Sequence, residues 1–217
     1  MTPDTVHYFG YGSLVNRATR PEDERCVNAV LSGWRRVWNH RIEGGSSRRA
    51  GCTSLSIEPH DEGDIAGVIV ALPLHHLPQL DAREAGYDRL ALPAGAFRIA
   101  EGSTIAPDGE VFVYRSRETN RRAPQAGHPV LQTYVDCVMA GYQERFGEPG
   151  LAAFLSSTRG WDGCRRDDRA APDYPRAVHL PAERLAHFDA ILRGLSSDEE
   201  MPVLPSPVPS SPSSLPR

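Results

Sequence analysis

Between Ile65 and Leu72 the chain is almost continuously apolar, and no other stretch limits its fold as strongly. A short run of this kind, bounded by turn residues, reads as a strand covered on both faces. Just before it, Leu55 and Ile57 alternate with polar residues, and Pro59-His60-Asp61-Glu62-Gly63-Asp64 has turn composition, so a hairpin is expected here. Other segments repeat the strand signal. Val6, Tyr8 and Gly10 alternate as a short half-buried strand, and Val27, Ala29 and Leu31 do the same before Gly33 breaks the run. Trp34, Val37 and Trp38 then suit a strand bent around a small barrel. Tyr87 to Leu92, Ala96 to Ala100 and Val111 to Ser116 are separated by Pro-Ala-Gly and Pro-Asp-Gly turns, and Tyr174 to Leu180 is read as a last strand. Such a meander is expected to close a barrel.

Helical signatures lie around these strands. Pro129 opens the strongest, with Leu131, Val135, Val138 and Tyr142 on one face and Gly147 at its end. Leu151 to Ser157 follows as a second short helix, and Pro181 to Gly194 repeats the proline start and glycine stop with Leu185, Phe188 and Leu192 as its buried side. The fold class expected is α+β, a small mixed β-barrel with packed helices. The chain of 217 residues reads as one domain over 1–195, followed by a Ser/Pro-rich tail over 196–217 with too few apolar residues to offset the entropy of ordering.

Charge and composition narrow the partners. With 24 basic and 28 acidic side chains the formal charge is −4, which offers nucleic acid or an anionic membrane no global attraction, so neither is expected. No apolar run approaches the roughly 18 residues of a spanning helix. The opening MTPDTVHYFG lacks a basic-then-apolar signal layout, and the expected location is the cytoplasm. Cys26, Cys52, Cys137 and Cys164 are far apart and form no CxxC pair, which favours reduced, packed thiols. His60, His75 and His76 show no HxxxH or HxxE spacing, so no metal site and no cofactor are expected.

Two stretches carry chemistry. In Phe9-Gly10-Tyr11-Gly12-Ser13-Leu14, a strand runs into a turn with two glycines around a tyrosine. Glycine permits positive φ and close approach to the backbone, and successive N–H groups can converge on an anion such as a carboxylate. The pattern lacks the third glycine of a dinucleotide fingerprint and the Gly-Lys-Ser/Thr of a P-loop. The plain alternative is a turn that merely ends the first strand. A hydrolase using Ser13 as nucleophile is another, disfavoured because no glycine stands two residues after the serine and no motif places a histidine.

The second stretch is Pro73 to Gly86, a short helix with Pro78 in its first turn and Gly86 at its end. Leu77, Leu80 and Glu84 share one face, which puts a carboxylate on the apolar side. An anion near a helix C-terminus opposes the dipole at a cost of about 0.3–1 kcal/mol when exposed. Glu84 therefore reads either as an acid/base or as a core-edge glutamate paired with Arg83, Arg89 or Arg98. Arg35, Arg36, His40 and Arg41, among and after the tryptophans, read as the solvated face of a strand; such a basic-aromatic mixture can also bind RNA bases, and the arginines equally suit the lining of an anionic substrate pocket.

The strand leading into FGYGSL, the GWRRVW segment and LDAREAGY some seventy residues beyond the first motif together resemble the γ-glutamylcyclotransferase families. The later YVDCVMAGYQERFG and Gly160-Trp161 resemble the helical part of bacterial members. The resemblance implies cyclisation of a γ-glutamyl amide to 5-oxoproline. It implies that Tyr11, Gly12, Ser13 and Leu14 hold the substrate's α-carboxylate through backbone amides, that Glu84 is the acid/base, and that Tyr87 and Tyr114 border the site. Arg-Glu-Ala-Gly-Tyr lies nearer the style of the glutathione-specific branch than the Glu-Gly of the broader branch and copies neither. A barrel that binds an amino-acid-like ligand without turning it over is the remaining alternative.

Overall fold

The computed structural model describes residues 5–21, 25–44, 51–100, 107 and 109–195. The Ser/Pro-rich segment over 196–217 lies outside the described residues.

Two very long strands dominate the sheet. β2 (Arg25–Ile42) and β3 (Cys52–Pro73) run antiparallel, from Arg25↔Ala71 to Ile42↔Cys52. The expected hairpin within 55–72 is therefore absent, because both of its arms belong to β3. Between the pairs Ser32↔Asp64 and Trp34↔Pro59 the register shifts, and the extra residues of β3 form a bulge. Bulges and hairpin turns recruit the same glycines, prolines and acidic residues, so composition did not separate the two. Gly33, at φ 83°, stands opposite this bulge and bends β2 without ending it.

The apolar run of β3 lies at the centre. β1 (Thr5–Gly10) pairs antiparallel with it from Thr5↔Pro73 to Gly10↔Val68, and parallel with β6 (Val111–Ser116) from His7↔Val111 to Phe9↔Val113. Flanked on both edges, β1 is buried from His7 to Gly10, more deeply than its alternation suggests. Each fully buried Val, Ile or Phe here contributes roughly 1.5–3 kcal/mol relative to exposure.

β4 (Tyr87–Leu92) pairs with β6, and β5 (Phe97–Ile99) pairs with β2, giving the order β4-β6-β1-β3-β2-β5. The meander expected from successive turns is thus not a meander: β4 and β5 follow each other in sequence yet occupy opposite edges. Residues 93–96 alone join them, so the sheet must curl to bring its edges close. No ladder among the described strands closes it, and the sheet is an open, curled one.

Helix α1 (Leu77–Arg83) is followed by β4, and β7 (Val130–Leu131) leads into α2 (Gln132–Ser156). Non-helical Gly147 divides α2 into the two helices read from the sequence. Every residue from Gln132 to Tyr142 is buried, so this segment is a core helix and not a one-faced surface helix. Asn16 Nδ2 donates to Cys137 O (2.8 Å), tying the helix to the chain just after the glycine turn. Short bridges at β8 (Thr158–Arg159) and β9 (Arg165–Arg166) follow, then α3 (Ala182–Leu195), which buries Phe188 and Leu192 and leaves Leu185 half-buried. Residues 174–180 form no strand. Among the described residues no helix is long and apolar enough to cross a membrane.

Candidate functional site

The glycine turn leaves β1 at the middle of the sheet. Ser13–Val15 forms a single 3₁₀ turn closed by Val15 N–H to Gly12 O and Asn16 N–H to Ser13 O (both 3.0 Å). The N–H groups of Gly12, Ser13 and Leu14 stand at its start, outside its own bonds. Neither Gly10 nor Gly12 has positive φ, which corrects one reason expected for these glycines. What they supply is room: a Cβ at Gly10 would meet Leu14 Cβ at 2.9 Å, and one at Gly12 would meet Tyr134 Oη at 3.2 Å.

Glu84 ends α1 as its C-cap, with its N–H on Leu80 O (2.9 Å), one step beyond the last turn expected for it. Leu80 beneath it is buried and Leu77 packs at the core edge, as their shared face requires. The chain then turns at Gly86, whose φ of 97° admits no side chain comfortably and whose Cβ would strike Asn120 Nδ2 at 2.8 Å. This turn sends Tyr87 back toward the carboxylate.

One cleft brings the sequence candidates together. Tyr11, Gly12, Ser13, Leu14, Glu84, Tyr87 and Tyr114 all line it, with Tyr134 from α2. Ser13, Glu84, Tyr87 and Tyr134 also line an adjoining cavity of about 310 Å³ that continues past His40, Cys52, Thr53, Arg83 and Arg176. The carboxylate of Glu84 therefore lies where a narrow end, at the glycine turn, meets a wider one.

The Glu84 side chain is 17% exposed, and Arg83 Nε lies 3.1 Å from its Oε1. That nitrogen makes no aligned hydrogen bond, so the contact is electrostatic only. Arg89 and Arg98, the other partners considered, are engaged with Asp81 and Asp64. Burial pushes the Glu84 carboxyl above the usual carboxylate range, and Arg83 and Arg176 offset part of that rise.

Backbone carbonyls hold two of the tyrosines and a carboxylate a third. Tyr11 Oη donates to Tyr114 O (2.7 Å), and Tyr87 Oη donates to Leu55 O (2.7 Å) beside Ser54 Oγ (2.9 Å). Tyr114 Oη donates to Asp81 Oδ1 (2.5 Å). Burial raises all four phenols, Tyr11, Tyr87, Tyr114 and Tyr134, so at neutral pH they are protonated donors.

Tyr134 and Arg176 were not singled out by sequence patterns, and His40 and the buried Arg36 stood out only as basic residues among tryptophans. His40 stacks on Tyr87 with ring centroids 3.7 Å apart and lies 2.9 Å from Ser116 Oγ through Nδ1. The period-two pattern already requires adjacent Arg35 and Arg36 to face opposite ways. Arg35 pairs with Glu58 at the surface, whereas Arg36 turns inward, so a solvated face describes only the first of them. Tyr134 and Arg176 belong to segments with no local motif. Among the described residues no group of His, Cys, Asp and Glu is arranged to hold a metal ion.

A family model described as ChaC-like protein matches residues 6–163. No curated protein matches the chain. Among solved structures, a γ-glutamyl cyclotransferase superposes with a TM-score of 0.52 at 14% identity, covering 88% of this chain and 99% of its own. An uncharacterized protein from Homo sapiens gives 0.53 at 14% identity with the same coverage. A yeast γ-glutamyl cyclotransferase described as specific to glutathione matches more loosely, with a TM-score of 0.42 at 12% identity over 91% of this chain and 89% of its own. At these identities the first two show a shared mixed α+β fold.

Proposed function

The chain belongs to the ChaC-like protein family, and from that premise we propose that it is a γ-glutamylcyclotransferase, converting a γ-glutamyl amide to 5-oxoproline and a free amine. The observation that carries the reading is the position of Glu84: a half-buried carboxylate without an aligned partner, facing a glycine turn across one cleft.

The substrate contains its own nucleophile. Its α-amine closes a five-membered ring when it attacks the γ-carbonyl, so folding the substrate supplies most of what a bimolecular attack would lack. The N–H groups of Gly12, Ser13 and Leu14 hold the α-carboxylate at the narrow end. Glu84 takes a proton from the α-ammonium, the neutral amine attacks the carbonyl carbon of the γ-amide, and the C–N bond of the ring forms. The bond to the departing nitrogen then breaks. Of the three protons on the ammonium, one stays on the lactam nitrogen, and two pass by way of Glu84 to the leaving nitrogen, which departs as an ammonium. A carboxylate lifted by burial is a stronger base and a usable acid at neutral pH, as both transfers require. Tyr87 and Tyr134, protonated at that pH, border the reacting carbonyl, and Tyr114 borders the turn. The leaving group occupies the wider cavity.

Purified protein incubated with glutathione, γ-glutamyl amino acids and γ-glutamyl amines, with 5-oxoproline measured, tests the reading. Product is expected from at least one class, and the class that reacts identifies the leaving group. Binding without product in all three would make the protein a ligand-binding module on this fold.

A further inference from the structure

Behind the glycine turn lies a cation that the proposed chemistry does not use. Arg36 is 0% exposed, and no carboxylate pairs with it among the described residues. Its guanidinium is satisfied by neutral groups: Nε donates to Tyr11 O (3.0 Å), Nη1 to Ser157 Oγ (2.7 Å), and Nη2 to Tyr142 Oη (2.6 Å) and to Ala66 O. The rings of Tyr142 and Phe154 lie 4.8 and 5.4 Å from its central carbon. Tyr142 Oη also lies 2.8 Å from Tyr11 O. The same phenolic oxygen lies 2.9 Å from Ala66 O; because Nη2 already serves Ala66 O, the single phenolic proton is available to Tyr11 O.

A buried cation without a counter-ion is costly, and a well-packed apolar residue at such a site is commonly as stable or more so. The stabilising partner missing among the described residues is an anion. The group that Arg36 grips most directly, the carbonyl of Tyr11, belongs to the peptide whose N–H is that of Gly12, at the narrow end of the cleft. Two donors on one carbonyl fix the plane of that peptide, and hydrogen bonds polarise along such a chain, making the N–H on its far side a better donor.

We propose that Arg36 is a positioning residue for the substrate's α-carboxylate: fixed on the Tyr11 carbonyl, it orients and polarises the Tyr11–Gly12 peptide and supplies the positive charge behind the turn. The assignment rests on the γ-glutamylcyclotransferase reading above. It predicts that the protein distinguishes a γ-glutamyl amide with a free α-carboxylate from the same compound with an α-carboxamide, and that Arg36 creates much of the difference.

The test compares kcat/KM on these two substrates in the parent, in Arg36→Met and in Tyr142→Phe, with thermal unfolding measured alongside. In Arg36→Met the preference for the carboxylate should fall about tenfold, the scale of one hydrogen bond to a charged group, mainly through KM. Turnover of the carboxamide should be nearly unchanged. Tyr142→Phe keeps the cation and removes one donor to Tyr11 O, so the same preference should fall by a smaller factor. This variant carries the test if Arg36→Met does not fold. Equal losses on both substrates, or an unchanged ratio, would make Arg36 purely structural while leaving the reaction intact. Absence of 5-oxoproline from the parent would end both the reaction and the assignment.

Discussion

Asp136 and Glu84 are both acidic side chains withdrawn from solvent, and their surroundings could hardly differ more. The Asp136 side chain, 4% exposed, receives Arg169 Nε (2.7 Å) and Nη2 (2.8 Å) and Gln132 Nε2 (2.8 Å). Arg169 is in turn held by Asp189, and Asp136 hydrogen-bonding is the main reason its guanidinium binds its proton more tightly than usual. Glu84 has one misaligned arginine and an open cleft. A satisfied carboxylate ties elements together, here α2, the 165–171 segment and α3. An unsatisfied one, on the proposed reading, is left for the substrate.

The sharpest way to break this contrast is to neutralise each carboxylate in turn. Glu84→Gln keeps size and most hydrogen bonding, so 5-oxoproline formation should fall roughly 10²–10⁴-fold with the melting temperature equal or higher. A variant that melts much earlier yet turns over like the parent while folded would make Glu84 structural. Asp136→Asn should do the reverse, costing about 3 kcal/mol in denaturant unfolding because Arg169 loses its buried partner, with turnover per folded molecule retained. Next in size is Gly12→Ala, whose added carbon crowds Tyr134 Oη: KM should rise roughly tenfold with little change in stability, and a parent-like KM would remove the turn from the site.

The pH dependence sharpens the same comparison. Folded Glu84 holds its proton more tightly than the unfolded chain does, so the stability it contributes is present at acid pH and is lost as pH rises through its raised pKa. The melting-temperature gain of Glu84→Gln over the parent should therefore be largest near neutral pH and vanish at acid pH. A constant gap across that range would show that the carboxyl is not shifted. Smallest of all is the expected effect of ending the chain at Leu195, because 196–217 is composed of residues with little to bury; a loss of several degrees would show that it docks.

The candidate site was legible in the sequence where its residues are local. FGYGSL and LDAREAGY each compress turn, glycine and candidate side chain into a few residues, and the fold brings them to one cleft. Arg36 and His40 were visible only as basic residues among tryptophans, since their burial depends on how an 18-residue strand coils past its bulge. Tyr134 and Arg176 come from segments whose approach to Glu84 is a purely tertiary event. Strand positions were readable from period-two patterning, while their order was not: nothing in Tyr87–Leu92 and Phe97–Ile99 announces that neighbours in sequence occupy opposite edges. The β3 bulge was missed because its residues also suit a hairpin.

The parallel pairing of β1 with β6 has a consequence for how the chain acquires this shape. His7 meets Val111, and the central strand cannot gain its second neighbour until more than a hundred residues have emerged during synthesis. Until then one edge of the most apolar part of the sheet offers unpaired N–H and C=O groups to any other strand. Contacts so distant in sequence delay the barrier crossing and lengthen the interval in which a nascent chain can be diverted into aggregates. Substitutions at Val111 to Val113 should on this account lower the yield of folded protein more than their effect on the melting temperature of the finished molecule would suggest.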